Sequence, residues 1–150
     1  MSFEKDTYDA IILSMGALFP LKTRIPNPYD LIANPLVLKD SWGLKVEGAS
    51  QITLELCRFS TDRTFTVILL RKFSRLETKP DSFDAITGNL LNDNKDVLNM
   101  FLNNEQFGIP EKIQNIALSN VSGIQSLSNN DETFLFIESS FNITISESYS

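Results

Sequence analysis

The chain contains no histidine. That removes the side chain most used for proton transfer near neutral pH, and with it any Ser–His–Asp, Cys–His or histidine-ligated zinc site within one chain. Cysteine occurs once, at Cys57, so an internal disulfide and a thiolate metal cluster are excluded, and the residue reads as a small core side chain. The six glycines are scattered, without the G-x-x-x-x-G-K or G-x-G-x-x-G spacing of phosphate-cradling loops. No stretch approaches the roughly 20 apolar residues that a membrane span needs. Met1 to Asp6 are acidic rather than basic and hold no signal-peptide core. The expectation is a protein made in a cytoplasm, with no membrane partner and no cofactor.

What is present fits one ordinary domain over residues 1–150. The composition is 42% hydrophobic and 21% charged, and eleven Phe against one Trp and three Tyr point to a core of phenyl rings. The formal charge of −6 is unevenly placed: the half up to residue 75 is slightly basic, and the half beyond it carries the acidic excess. A net acidic chain without a Lys/Arg tail is poorly suited to gripping nucleic-acid phosphates.

Along the chain, Tyr8, Ile11, Ile12, Met15, Leu18 and Phe19 form one helical stripe, which predicts a helix over about 3–19 that Pro20 ends. Residues 20–42 hold Pro20, Pro26, Pro28 and Pro35, too closely spaced for regular structure. Gly43 to Gly48 reads as a short strand. A hairpin follows, with Ile52, Leu54 and Leu56 in its first strand, a turn near Ser60 to Arg63, and a second strand over Phe65 to Leu70. That second strand is apolar on both faces and belongs in the centre of a sheet. Phe83, Ile86, Leu90, Val97 and Phe101 predict a helix over about 82–104, with a kink or break near Gly88 and Asn92 to Asn94. The remainder is β: a strand with Ile116 and Leu118, turns at Ser122-Gly123 and Asn129 to Asp131, and a long strand over 133–146. The fold class is therefore α+β, a mixed and mostly antiparallel sheet with two helices packed on one face.

Fourteen residues is long for a strand. Either it bends near Ser139-Ser140 within its own sheet, or one end continues onto a neighbouring subunit. The second is favoured, which makes Phe141 and Ile143 candidate interface residues. Arg58, Arg63, Arg71, Lys72 and Arg75 bracket the hairpin as the one basic concentration, open to solvent, to an acidic neighbour or to nucleic acid. Arg63 and Arg71 are the candidates for subunit contact. Trp42 reads as a core anchor or as an interface anchor. The pairs Asp81/Asp84 and Asp93/Asp96 read better as helix-capping carboxylates than as a metal site. Nothing here assembles into catalytic machinery, and a non-enzymatic role is expected.

The segment Ile25-Pro26-Asn27-Pro28-Tyr29-Asp30-Leu31-Ile32-Ala33-Asn34-Pro35, followed by Ser41-Trp42-Gly43-Leu44-Lys45-Val46, resembles small phage virion proteins with an N-P-Y segment and then W-G-[LV]-x-V entering the first strand. The element order is similar to the tail terminators and tail-completion, head-to-tail joining proteins of long-tailed phages. The resemblance implies a homo-oligomeric ring, commonly hexameric, in the neck of the virion. Its partners are then the tail tube and the head connector, and double-stranded DNA passes through the lumen without specific binding. The alternatives are another neck component, such as a head-completion or stopper protein, and a small non-viral adaptor domain. In the ring reading the proline-rich loop docks on another subunit, with Pro28 and Tyr29 at the contact.

Overall fold

The computed structural model describes residues 3–31, 40–55, 58–74, 80–103, 105–109, 112–129 and 132–148. Helix α1, Phe3–Leu18, carries Glu4 and Asp6 in its first turn, where the helix dipole favours negative charge, and buries Ile11 and Met15 with Phe19 just beyond its end. Phe19 still donates its amide to Met15 at 3.0 Å before Pro20 diverts the chain. After a two-residue strand β1, Thr23–Arg24, come the long strands β2, Asp40–Glu55, and β3, Arg58–Ser74. Helix α2 spans Pro80–Asn103, and a 3₁₀ turn, Glu105–Gly108, follows. Strands β4, Ile113–Val121, β5, Gln125–Asn129, and β6, Glu132–Ser148, complete the described elements.

The strand order is β1-β2-β3-β6-β4, with β5 beside β6 on the same side as β4. Every pairing is antiparallel except β1 with β2. The sheet is thus mixed and mostly antiparallel. Strand β3, apolar on both faces over Phe65 to Leu70, sits in its centre as its sequence requires.

Both helices lie on one face. Ile11, Met15 and Phe19 from α1 and Leu90, Val97 and Phe101 from α2 join one cluster with Trp42, Phe65, Val67, Leu69, Ile137, Phe141, Ile143 and Ile145 from the strands. Phe101 stacks on Phe141 with centroids 3.9 Å apart and meets Phe107 edge-on at 5.1 Å. Phe107 holds a positive φ of 51° and Gly108 one of 76°, the tight reversal that brings the Phe107 ring back under the helix. The open face carries a second, smaller cluster of Ile25, Ile68, Leu70 and Phe134 at one end.

Several expectations change. Ser60 to Arg63 is not a turn but part of β3, which pairs with β2 from Glu55↔Arg58 onward; Leu56 and Cys57 lie outside the described residues. Gly43 to Gly48 is not a separate strand, since β2 runs on through two bulges between Val46 and Gln51. Helix α2 is unbroken through Gly88 and Asn92 to Asn94. Weak propensity is overridden there by packing: Leu90 and Val97 are buried, and the buried Asn94 accepts a hydrogen bond from the Ser139 hydroxyl. Ser122-Gly123 interrupts the strand without reversing it. Ser122 donates its amide to Glu138 O at 2.8 Å and its hydroxyl accepts the Glu138 amide at 3.0 Å, so β5 continues where β4 stops. Strand β6 is partnered within its own chain along its whole length. Its register with β3 runs unbroken from Arg58↔Ser148 to Ser74↔Glu132, through Ser139-Ser140, because β3 is as long as β6.

Candidate functional site

The proline-rich loop lies on its own domain where it is described. Ile25 is buried against the open face and donates its amide to Trp42 O at 2.7 Å. Gly43 makes this approach possible: a Cβ there would meet Pro28 Cβ at 3.1 Å and Ile25 Cβ at 3.3 Å, tighter than ordinary contact. Pro28 is half-buried by that packing. Tyr29 is 65% exposed, and its hydroxyl accepts the Val46 amide at 3.1 Å, capping one backbone donor on the outer edge of β2. Residues 32–39, which include Asn34 and Pro35, lie outside the described residues.

The basic residues do not form one patch. Arg58 and Arg71 stand thirteen positions apart on β3, or roughly 43 Å at the usual strand rise. Arg63 binds Glu4 of α1 at 2.9 Å and donates to Glu47 O at 3.0 Å. Arg71 joins a four-membered charge cluster at the other end of the strand. Asp93 of α2 accepts from Lys22 at 2.8 Å and from Arg71 at 3.1 Å, and Asp40 pairs with both cations. Arg71 Nε is buried with no partner among the described residues. Both arginines therefore tie helices or loop to the sheet within one chain, and reversing either removes an internal ion pair before it touches any neighbour. Asp93 is committed to these cations while Asp96 is exposed, so the helical aspartate pair does not converge on one point. Among the described residues no group of three acidic side chains is placed to hold a metal.

Trp42, Phe141 and Ile143 are core residues of the helix-covered face. With their side chains sealed under the helices they have no surface to offer a neighbour. Of the candidate interface residues Pro28, Tyr29, Trp42, Arg63, Arg71, Phe141 and Ile143, Tyr29 alone presents a largely exposed side chain.

The open face beyond the Ile25 cluster is polar. Thr64 donates to Asn142 Oδ1 at 2.7 Å, Thr66 and Ser140 share a hydrogen bond at 2.8 Å, and Thr144 donates to Asp62 at 2.7 Å. Lys45 of this face lies between Glu47 and Glu138, 3.8 and 3.5 Å away, while Arg58 and Lys72 stand on the same face at the two ends of β3. Hydroxyls, amides and carboxylates thus pair across β2, β3 and β6, and the charge of Lys45 in the middle of the face is answered.

The sheet edges present a different chemistry. Among the described residues, no strand pairs with the outer edge of β2 beyond Trp42 or with the outer edge of β4. The register places Ile52 opposite Thr61, and Thr61 opposite Ile145, so Ile52 and then Leu54 stand on the helix-covered face. They lie beyond the cover, 62% and 74% exposed. At the opposite edge Leu118, paired with Phe141 on the same face, is 42% exposed. The run from Ile113 to Asn130 contains no charged residue and no proline, the two devices that most often protect an edge strand. That run was visible in the sequence, but its position at an edge follows only from the topology.

No family model matches the sequence, and no curated protein matches it. The site is therefore argued from its own geometry.

Proposed function

We propose that this protein is a structural, non-enzymatic ring component of the phage head–tail junction, a tail terminator or tail-completion protein joining the tail tube to the connector. The resemblance of Ile25 to Val46 supplies the family, and the helix, strand, helix, strand order agrees with it. The observation that carries the reading is the open face of the sheet. A wall past which double-stranded DNA slides must be wettable and must not hold phosphates. The middle of this face offers paired hydroxyls and amides, the carboxylates of Glu47, Asp62 and Glu138, and a lysine neutralised between two of them, with Arg58 and Lys72 confined to the two ends of β3. With the helices outward and this face inward, a closed ring presents a lumen of low affinity for DNA.

Native mass spectrometry and negative-stain imaging of the purified chain test the reading. A closed ring, hexameric or a multiple of it, is the expected result, with no retention on double-stranded DNA at physiological salt. A chain that stays monomeric at every concentration and in the presence of tail tubes sinks it.

A further inference from the structure

We infer that the ring closes by edge-to-edge strand pairing, the β4 edge of one copy against the distal β2 edge of the next, so that one antiparallel sheet runs through all subunits. This rests on the ring reading and specifies its interface. The two edges are unlike, as a head-to-tail contact requires. Both leave apolar side chains uncovered on the same face of the sheet: Ile52 and Leu54 on β2, and Leu118 on β4, with Ile116 and Val121 half-buried beside it. They stand about five residues apart along the strands, so the junction that brings them together is staggered, as the strands of a closed sheet are. The row Ile52–Thr61–Ile145–Ile113 and the row Val46–Phe65–Phe141–Leu118 each cross the sheet from one edge to the other.

Strand direction agrees. Strand β2 runs with β6 and against β4. A neighbour added with its helices on the same side therefore meets β4 antiparallel, the sense of nearly every other pairing in the molecule. Charge agrees as well. The β2 edge carries Lys45 and Glu47, whereas the β4 edge is uncharged from Ile113 onward, so no like charges are brought together.

A second copy is the occupant because it alone covers both strips at once. Pairing of β4 with another β4 about a twofold axis leaves Ile52 and Leu54 in water. Size points to closure too. The nine residues of β4 fall short of the roughly 20–30 residues a side in a standard stable interface. One junction is therefore weak, and a ring, which holds each copy at two junctions, gains the missing strength as effective concentration.

The full chain and two variants, Ile52→Lys and Leu118→Lys, test this by native mass spectrometry. Both side chains are exposed in the single subunit, so both variants should keep the parent circular dichroism spectrum and melt like the parent diluted to monomer. Each alone should abolish the ring. Mixed at high concentration, the two should form a one-to-one dimer and stop, because only one good junction remains between them. Survival of the ring in either variant overturns the inference and leaves the ring reading standing. Loss of assembly in Leu118→Lys alone also overturns it, in favour of β4 self-pairing. A monomeric parent chain defeats both proposals. Hydrogen exchange on the unmodified protein supplies a measurement independent of variant folding. Alternate amides in Gly48 to Leu54 and in Gln114 to Asn120 should be protected in the ring and exchange freely in diluted monomer. Equal exchange in the two states overturns the pairing.

Discussion

The two faces of the sheet are built from the same strands, alternate residue by alternate residue, yet they are held by different forces. On the helix-covered face the odd positions of β3 and β6 supply Phe65, Val67, Leu69, Ile137, Phe141, Ile143 and Ile145 to a single apolar cluster. On the open face the even positions pass from Ile68, Leu70 and Phe134 at one end to Thr64, Asp62, Asn142 and Thr144 at the other. Burial of apolar area on the first face is the dominant stabilising term. On the second, each hydroxyl exchanges a bond to water for a bond to a neighbour, with little net gain. The covered face makes the fold, and the open face contributes little to holding it together.

Substitutions that probe this contrast rank accordingly. Phe101→Ala removes the ring that stacks on Phe141 and meets Phe107, and is expected to cost about 3–5 kcal/mol. The denaturant midpoint at constant slope reads it. Ile68→Ala truncates a member of the smaller open-face cluster and is expected to cost about 2 kcal/mol, the low end for a buried aliphatic side chain. If it matched Phe101→Ala, the two faces would not differ as described. Asn94→Ala leaves the buried Ser139 hydroxyl without its acceptor, a loss of about 1–2 kcal/mol. Adding Ser139→Ala to it should restore part of that loss, because no orphaned hydroxyl then remains. Thr64→Val, on the polar stretch, breaks only the bond to Asn142 and should shift stability by less than about 0.5 kcal/mol. A larger drop would mean that the hydroxyl ladder carries structural weight.

The same contrast explains what could be read from the sequence. Apolar periodicity found α1 to within one residue at its end, placed β3 at the centre and put both helices on one face. It failed where polar residues serve the sheet. Ser60, Thr61, Asp62 and Arg63 look like a turn because such side chains often bond their own backbone, yet here they face across strands and pair with β2 and β6. Asn94 looked like a helix breaker and is a helix-to-sheet hydrogen bond. For the candidate site, alternation tells which residues share a face but not whether the chain's own helices cover it. That is why Phe141, Ile143 and Trp42 suggested an interface and proved to be core. Arg71 likewise finds Asp93 on the next helix, a partner no local spacing announces. The charge-free run at β4 is plain in the sequence, but only strand order makes it an edge.

Strand β6 occupies the middle of the sheet although all of α2, β4 and β5 are synthesised between it and its partner β3. Until β6 is made, β3 has one long unpaired edge, β4 and β5 have nothing to bond to, and α2 has no floor beyond β3. Contacts so distant along the chain are slow to form, because the loop must close before any of them repays its entropy. The edge of β3 that β6 will cover therefore stays open from the synthesis of Ser74 until that of Glu132 to Ser148. The β2–β3 pair can form early, but closure of the sheet over β4 and β5 is set by the emergence of one strand.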